Sequence, residues 1–471
     1  MNKRVDNSVI APLIADFYLF FQWAWLQISN EPLALNWHIK EICRELQFLS
    51  QFIIKRLPPP YLELFIEVPP GSTKSSICSQ SWPVWCYLQD PSLIFIVDSY
   101  SADASLNHSV KAKAIIKSDG FNQFLNPYIK VKFGKQFELT RDNGADWINN
   151  FGGRYFSTST TGTVTSMHAH CLIFDDPMNA VISDSESKRI ASNRAYDLTF
   201  PTRKINKDTT PSVFISQRLN EEDTIGHVKA KSTSYKEICL PAELSDNISP
   251  EYLKEKYIDG LLDPIRLSRT ILEKSKTDLG SFGYAGQFLQ QPYPEEGGHI
   301  KKEWFMFCDE VPDNIAYDLW IDGAYTDKAK NDPTGFMICG FDVARGRLYI
   351  KHYESDWLII PDVIKKVKSL ILTKGDQSSM IFVEPKASGY SFIQMIQEET
   401  YFNVTRITGR LVQDGKMARV KYAAPKVESS RVYLLQANWN SEFITQLTAF
   451  PNYTHDEVSD LLGYAVKRYF G

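Results

Sequence analysis

The sequence lacks the patterns that would indicate a zinc site, a disulfide scaffold or a membrane protein. Its seven cysteines are dispersed without a C-x-x-C pair, and none combines with the eight histidines at zinc-site spacing. An odd, dispersed set predicts reduced thiols in a cytosol-like compartment. The apolar stretch 9–28 is interrupted by Pro12, Asp16 and Gln22, whereas a membrane span needs about 20 apolar residues. We therefore expect no membrane association, and an aromatic-rich helix that packs onto the body or onto a partner.

The sequence also has no excess of positive charge. Its 52 Lys and Arg against 56 Asp and Glu give a formal net charge of −4, so any nucleic acid must be bound by a local patch. Residues 406–431 contain seven basic residues against two acidic ones, a local balance of +5. Such a stretch suits a phosphate backbone, although most charge runs are solvated surfaces. The DNA-contact candidates within it are Lys416, Arg419, Lys421 and Arg431.

The length and element pattern predict an α/β protein of more than one domain. A chain of 471 residues is too long for one ordinary core. Residues 1–60 are predicted to be helical, with one helix from Asn36 to Leu57, and residues 231–298 to form a subdomain and linker. In residues 61–230, strands alternate with helices, which predicts a parallel sheet covered on both faces. Residues 299–471 are predicted to form a second α/β domain.

The first chemical motif follows the apolar strand ELFIEV at 63–68. A strand, a small-residue loop, a Lys-Ser pair and a helix form the layout of a phosphate-binding loop, here Pro70, Gly71, Ser72, Thr73, Lys74, Ser75 and Ser76. Lys74 would reach the β and γ phosphates of ATP, and the Ser75 hydroxyl would bind Mg²⁺. Because Val68 and Thr73 occupy the two usual glycine positions, a plain strand-turn-helix with a surface lysine remains the alternative.

A second motif, CLIFDDP at 171–177, matches the Walker B pattern of an apolar strand followed by two acids. Asp175 would hold Mg²⁺ through water, and Asp176 would orient and deprotonate the attacking water. Two acids that cap a loop are the alternative. The pairing with a phosphate loop about 100 residues upstream favours ATP binding. Gln217 and Arg218 end another strand, where they would either sense the γ-phosphate or cap a loop.

A third set of residues consists of acids in the second domain. Asp322 lies in the strand LWIDGAY and Glu384 in MIFVEP, and a carboxylate in an apolar strand is costly to bury unless it is paired or bound to metal. Asp456 and Asp460 lie near the start of the last helix. Three acids on two strands and a helix can converge on two divalent metals that act on a phosphodiester. The sequence leaves open which of Asp456 and Asp460 is the third ligand.

The order of these motifs resembles that of the large terminase subunit of tailed bacteriophages. The resemblance covers about 36–470 and is carried by eight stretches: VPPGSTKSS, CLIFDDP, SQRLNEEDTIG, YAGQFLQQPYPEEGG, WIDGAYTDKAKNDPTG, VEPKASG, KMARVKYAAPKVESSRVYL and FPNYTHDEVSDLL. It implies an N-terminal P-loop ATPase domain of the ASCE/RecA-like type and a C-terminal RNase H-like nuclease domain. It also implies ATP and Mg²⁺ as cofactors, with Mn²⁺ as an alternative in the nuclease.

The resemblance implies a role for each motif. Asp175 and Asp176 form the Walker B pair, with Asp176 as its catalytic carboxylate, and Ser216 to Arg218 match the coupling motif. Asp322, Glu384 and Asp456 form the nuclease triad, with Asp460 as the competing third acid. Departures from the family pattern include Thr73 at a glycine position, Asp176 where Glu is more usual, and Met167 where many members carry arginine. The arginine finger is therefore expected elsewhere, with Arg154 as first choice and Arg218 as second.

The function implied is an ATP-driven motor that moves double-stranded viral DNA into a procapsid and cuts concatemeric DNA with a two-metal endonuclease. Its expected partners are the DNA backbone, the portal protein, the small terminase subunit and further copies in a ring, expected to be a pentamer. The expected location is the cytoplasm of the infected bacterium, with transient docking on the procapsid and absence from the mature virion. Two alternatives remain: a cellular DNA helicase or restriction-type motor, and a nuclease with a degenerate, non-hydrolysing P-loop.

Overall fold

The computed structural model describes residues 7–162, 164, 167–292, 299–323, 333–375, 379–384, 389–399, 402–408, 415–450 and 457–471. The chain divides into two compact units. Unit 1 comprises Met1–Glu273 and Phe282–Pro294, and unit 2 comprises Lys274–Ser281 and Glu295–Gly471. None of the described helices is long and apolar enough to cross a membrane.

The sheet of unit 1 is predominantly parallel. Its described strands follow the order β3-β4-β5-β2-β6-β7-β1-β8, with antiparallel pairing between β3 and β4 and between β4 and β5. Strand β7 separates β1 from β6, which is the ASCE arrangement of a P-loop domain. The predicted fold class is confirmed. The strands are β1 Glu63–Glu67, β2 Ile94–Ser99, β3 Leu139–Asp142, β4 Asp146–Asn149, β5 Arg154–Ser159, β6 Cys171–Asp175, β7 Ser212–Ser216 and β8 Tyr235–Cys239.

Aromatic stacking fixes the three central strands. Phe214 of β7 pairs in register with Phe65 of β1 and with Phe174 of β6, and its ring centroid lies 5.1 Å and 4.6 Å from theirs. All three rings are buried, so this cluster stabilises one register of the strands. Because the three strands are parallel, the loops that follow them meet at one end of the sheet.

The helices of unit 1 include the predicted N-terminal aromatic helix. Phe17, Phe20 and Phe21 are buried, and the Phe17 ring lies 5.5 Å from that of Trp85, so packing onto the body is confirmed. Asn36 caps α3, as predicted. The α-helices are α1 Asn7–Ala15, α2 Phe17–Ile28, α3 Trp37–Lys55, α4 Trp82–Gln89, α5 Ala102–Lys117, α6 Asn126–Phe133, α7 Ala180–Asp184, α8 Glu186–Thr199, α9 Thr224–Lys229 and α10 Arg269–Gln287, whose residues Lys274–Ser281 belong to unit 2.

Shorter turns of π- and 3₁₀-helix connect several of these elements. Two π-helical stretches precede α4 and α6, namely Ser76–Ser81 and Phe121–Leu125. The 3₁₀ turns are Phe200–Arg203, Glu251–Lys256 and, in unit 2, Lys302–Trp304.

The sheet of unit 2 has the strand order of the RNase H-like fold. Strands β10, β11 and β12 form an antiparallel meander, and β13 and β14 lie beside β10 and run parallel to it. This confirms the fold predicted for the second domain. The strands are β9 Met306–Cys308, β10 Tyr317–Asp322, β11 Thr334–Asp342, β12 Arg347–Asp356, β13 Met380–Val383, β14 Asn403–Arg406 and β15 Val432–Leu435.

Helices cover both faces of this sheet with separate apolar cores. One core includes residues of α13, α14 and α15, and the other includes residues of α11 and α12. Helix α15 lies against β10 and β11, so its polar residues can reach the end of β10. The helices are α11 Ile360–Thr373, α12 Gly389–Glu399, α13 Lys416–Glu428, α14 Asn440–Ala449 and α15 Glu457–Phe470.

Candidate nucleotide and metal sites

The predicted phosphate loop joins the carboxyl end of β1 to the π-helical stretch that leads into α4. Two of its residues have left-handed backbone, Gly71 with φ 79° and Thr73 with φ 67°. Thr73 occupies a position where the motif usually has glycine, and such a φ is a genuine outlier for a β-branched residue. At position 73 the loop therefore adopts the backbone conformation of a glycine, although the residue there is threonine.

Lys74 and Asp176 face each other at this end of the sheet. Lys74 is buried, and its Nζ lies 3.4 Å from Asp176 Oδ1. The Ser216 hydroxyl, at the end of β7, donates to the same carboxylate oxygen at 3.0 Å. Asp176 also has a left-handed φ of 47°, which aspartate tolerates better than most residues. Three predicted motifs thus converge on one carboxylate.

Asp175 is buried beneath the loop and surrounded by donors. The Ser75 hydroxyl donates to Oδ1 at 2.8 Å and the Ser79 hydroxyl to Oδ2 at 2.5 Å, while His108 Nε2 lies 3.5 Å from Oδ2. Burial raises the pKa of Asp175, whereas His108 and the two hydroxyls favour its charged form. A hydroxyl and a carboxylate are oxygen ligands of the kind that Mg²⁺ prefers, so Ser75 and Asp175 fit a magnesium site.

Sequence reasoning missed Ser79 and His108. Ser79 lies four residues after Ser75, about one turn along the same helical segment, so its position was in principle detectable. His108 reaches Asp175 from α5, and nothing in its own neighbourhood along the chain signals that contact.

Arg218 is a buried partner of acids and not an exposed arginine. Its Nε lies 3.0 Å from Asp223 Oδ2, and its Nη1 lies 3.3 Å from Oε2 of Glu67. Its backbone N–H donates to the side chain of Gln290 at 3.1 Å. These bonds hold the guanidinium inside unit 1, which argues against the second-choice arginine finger. The adjacent Gln217 follows β7, as predicted, and its Oε1 is buried.

A second group of potential metal ligands, beside Arg218, is already paired with protein cations. Glu67, Glu237 and Cys239 place potential ligand atoms within 4.8 Å of one another. However, the ammonium of Lys229 pairs with both glutamates, and Arg218 pairs with Glu67. Protein cations therefore already neutralise this cluster.

Arg154 is not brought to the phosphate loop of its own chain. It begins β5, and because β5 is parallel to the central strands it lies at their amino end, opposite the loop. Its Nε and Nη2 donate to the two carboxylate oxygens of Asp146 at 2.6 and 2.8 Å. The structure thus gives this predicted arginine finger a different partner, within its own sheet.

The predicted nuclease acids of unit 2 converge. Asp322 ends β10, Glu384 follows the parallel strand β13, and Asp460 lies on α15. One carboxylate oxygen from each lies within 4.8 Å of the others, and the three side chains are buried. Three carboxylates at this spacing fit divalent Mg²⁺ or Mn²⁺. The other predicted third acid, Asp456, lies outside the described residues.

Two predicted DNA contacts lie at these acids. Arg419 Nε donates to Asp460 Oδ1 at 3.0 Å, and Lys416 Nζ lies 2.9 Å from Oδ2. Helices α13 and α15 approach so closely at Gly463 that an added Cβ would lie 2.7 Å from Arg419 Cβ. This approach buries Arg419 against Asp460, and its contact with DNA stays a prediction.

The remaining two DNA-contact candidates are placed differently. Lys421 is half-buried on α13. Arg431 immediately precedes β15, which pairs parallel with β12 and therefore runs in the direction of β10. Arg431 thus lies at the amino ends of these strands, whereas the acids lie at the carboxyl end of β10. The structure does not bring it to the acidic cluster.

Tyr464 is a further residue that sequence reasoning missed. Its hydroxyl donates to Glu384 Oε1 at 2.7 Å, and the Arg419 guanidinium lies 4.6 Å from its ring centroid. Burial raises its pKa, so the hydroxyl stays protonated and can donate. Tyr464 follows Asp460 by one helical turn, and this spacing was the available signal.

Comparison with known proteins gives matches among solved structures alone. No protein-family model and no curated protein matches the sequence. The large terminase of the thermophilic bacteriophage D6E in complex with ATP-γ-S matches with a TM-score of 0.47 and 11% identity, over 90% of this chain and 98% of that chain. The HK97 bacteriophage large terminase matches with a TM-score of 0.36 and 11% identity, over 91% and 92%.

A third match concerns the C-terminal part. The large terminase nuclease from the thermophilic phage G20c with bound magnesium matches with a TM-score of 0.29 and 13% identity, over 37% of this chain and 99% of that chain. At identities of 11–13%, these likenesses concern the fold.

Proposed function

We propose that this chain is the large subunit of a phage terminase, in which unit 1 hydrolyses ATP to move double-stranded DNA and unit 2 cuts it. The observation that supports this most strongly is the presence of two separate acidic centres in one chain. Asp175 and Asp176 lie beside Lys74 on an ASCE-type sheet, and Asp322, Glu384 and Asp460 cluster on an RNase H-like sheet. One centre suits phosphoanhydride hydrolysis and the other suits phosphodiester cleavage.

In unit 1 the two aspartates would have different roles in ATP hydrolysis. Asp175 is buried and bonded to Ser75, so these two residues would hold Mg²⁺, which would neutralise charge on the phosphates. Asp176 is nearly one-third exposed and pairs with Lys74. When Lys74 turns to the phosphates of ATP, Asp176 is left to accept a proton from the attacking water. Ser216 would then hold Asp176 in position and connect it to β7.

In unit 2 the three acids would hold one or two Mg²⁺ or Mn²⁺ ions, which would stabilise the attacking and leaving oxygens of the phosphodiester. Tyr464 orients Glu384 through its hydroxyl. Arg419 and Lys416 lie against Asp460 and would offset its negative charge as a phosphate approaches.

The proposed assembly follows from this function. The chain would contact DNA through its backbone, with little reading of sequence, and would act as a ring of copies on the portal protein with the small terminase subunit. Its place of action would be the cytoplasm of the infected bacterium. Association of the purified chain with portal protein, measured by co-sedimentation with and without ATP, tests this part directly.

The first test of the function itself is plasmid cleavage in Mn²⁺ alongside ATP turnover. Asp322→Asn should abolish cleavage and preserve turnover, because Asp322 belongs to unit 2 alone. Asp342→Asn is the matched control, since Asp342 ends the neighbouring strand at the opposite end of the sheet and bonds Arg345. This control should cleave like the wild type.

Other outcomes would change the assignment. Cleavage by a wild-type chain that does not turn over ATP would favour a nuclease with a degenerate P-loop. ATP-dependent strand separation would favour a helicase. No plasmid cleavage by the wild type in Mg²⁺ or in Mn²⁺ would refute the assignment of unit 2 as a nuclease.

A further inference from the structure

Two side chains from outside the phosphate loop of unit 1 hold that loop. Arg266 Nη1 donates to the Thr73 hydroxyl, and Arg266 Nε donates to Asp263 Oδ2 at 2.6 Å. His38, on α3, places Nε2 3.2 Å from the carbonyl oxygen of Ser72. Two consecutive loop residues, Ser72 and Thr73, are therefore anchored immediately before Lys74.

The His38 contact is a hydrogen bond from a neutral imidazole. His38 is fully buried, and burial together with Arg266 lowers its pKa to about 4. A neutral ring that faces a carbonyl oxygen through Nε2 must carry its proton there, so His38 donates to Ser72. Arg266 Nη2, 3.5 Å from Nε2, is also a donor and therefore only packs against the ring.

The Arg266 contact acts on the one strained residue of the loop that is not glycine. Thr73 has a φ of 67°, and a β-branched residue adopts that conformation only when its surroundings hold it. The hydroxyl that Arg266 binds is a group that glycine would not have. The Arg266 bond therefore stabilises a backbone conformation that this sequence does not obtain from glycine.

We propose that Arg266 is a positioning residue of the ATP site, which holds Thr73 in the left-handed conformation that directs the loop's N–H groups and Lys74 to the phosphates. This role rests on the proposed ATPase function of unit 1. Without the anchor, Thr73 relaxes to a negative φ and the loop loses the curvature that a phosphate requires. The loss falls on nucleotide affinity more than on the chemical step, because Arg266 contacts the loop and not Asp176.

A double-mutant cycle tests this role. Arg266→Met should raise the Kd of a fluorescent ADP or ATP analogue, and the KM for ATP, by about tenfold, as expected for loss of one hydrogen bond from a charged donor. The turnover number should change far less. In a Thr73→Gly background the same substitution should change affinity less than about twofold, because glycine adopts the conformation unaided.

Two further variants separate this role from general damage to the fold. Thr73→Val keeps the branched shape and removes the hydroxyl, so it should match Arg266→Met, and Arg266→Lys should restore part of the affinity. Arg269→Met is the control. Within the described part of the chain, the Arg269 guanidinium donates only to the exposed backbone carbonyl of Asp259. This variant should bind nucleotide like the wild type.

The outcomes are distinguishable. If the wild type binds no nucleotide, the proposed ATPase fails and this role falls with it. If the wild type binds and Arg266→Met binds equally well, the ATPase proposal stands and the positioning role is overturned. The same conclusion follows if Arg266→Met costs as much affinity in the Thr73→Gly background as it does when Thr73 is present.

Discussion

Replacing Asp460 by asparagine tests which acid completes the nuclease cluster. Asp460 is 1% exposed, and one of its carboxylate oxygens lies within 4.8 Å of a carboxylate oxygen of Asp322 and of Glu384. Its carboxylate also contacts the side chains of Arg419 and Lys416 at about 3 Å. The substitution keeps the shape of the side chain and one acceptor oxygen. It removes the negative charge that would bind the metals and that attracts Arg419 and Lys416.

The magnitude follows from opposed electrostatic interactions. We use an effective dielectric constant of about 20. The ionised Asp460 lies no more than 4.8 Å from each of the other two acids, so each repulsion is at least about 3.5 kcal/mol. Each attraction between Asp460 and a basic side chain at 3 Å is about 5.5 kcal/mol. The substitution removes two interactions of each kind, so without metal the net loss is at most about 4 kcal/mol. Removing one partner of a buried ion pair costs a similar amount, about 3–5 kcal/mol. Urea unfolding in EDTA measures this loss for unit 2.

The effect on cleavage should be larger. Loss of a residue that only supports a metal ligand costs about 10–100-fold in affinity or activity, so loss of a ligand should cost at least about 100-fold. Plasmid cleavage in Mn²⁺ measures this, with ATP turnover as the internal control and Asp456→Asn in parallel. Wild-type cleavage by Asp460→Asn together with inactive Asp456→Asn would refute the assignment of Asp460.

Three further predictions concern unit 1. Lys74→Ala should lower ATP turnover at least about 100-fold and leave plasmid cleavage intact, and loss of both activities would contradict separate sites. Arg218→Met should lower the free energy of unfolding by about 3 kcal/mol in urea, because Glu67 then lacks one of its cations; an unchanged midpoint would show that Lys229 suffices. The pKa of His38 is about 4 in the folded chain and near 6.5 in the unfolded chain, so the unfolded chain binds more protons between these pH values. The free energy of unfolding should therefore fall by up to about 3 kcal/mol as the pH decreases from 6.5 to 4. The free energy of unfolding of His38→Gln should lack this pH-dependent loss. The same pH dependence in His38→Gln and in the wild type would refute the role of His38.

The convergence of the candidate ATP-site residues was largely predictable because these residues follow strands. Apolar runs identify buried strands, and parallel strands bring the residues after them to the same end of the sheet. On this ground Lys74, Asp175 and Asp176 were expected to meet at one end of the sheet, and the structure brings them together there. Arg218 follows a strand too, yet its guanidinium is buried against Glu67, whose charge lies 151 residues away along the chain. No local pattern shows whether an arginine at a strand end faces solvent or a distant acid.

The basic stretch 406–431 shows the same limit in unit 2. Helical spacing places Lys416 and Arg419 on one face of α13. Which way this face points depends on α15, and on the close approach of the two helices at Gly463. The sequence predicted that this basic run contacts a phosphate backbone, and it gave no sign that two of its members pair with Asp460. The spacing was informative, but the partner helix was needed to interpret it.

The two acidic centres are stabilised in different ways, and this bears on how each would respond to metal. Asp175 accepts hydrogen bonds from the hydroxyls of Ser75 and Ser79, and the His108 imidazole lies farther away, 3.5 Å from its Oδ2, so a cation meets less competing positive charge there. Asp460 is held by Arg419 and Lys416, so a cation must compete with two positive charges at nearly the same oxygens. Metal affinity at unit 2 should therefore be the weaker, and Lys416→Gln should raise it. A Mn²⁺ titration of cleavage by Lys416→Gln that is half-saturated at a lower concentration than the wild type supports this competition. An unchanged or higher midpoint would show that Lys416 instead helps to assemble the site.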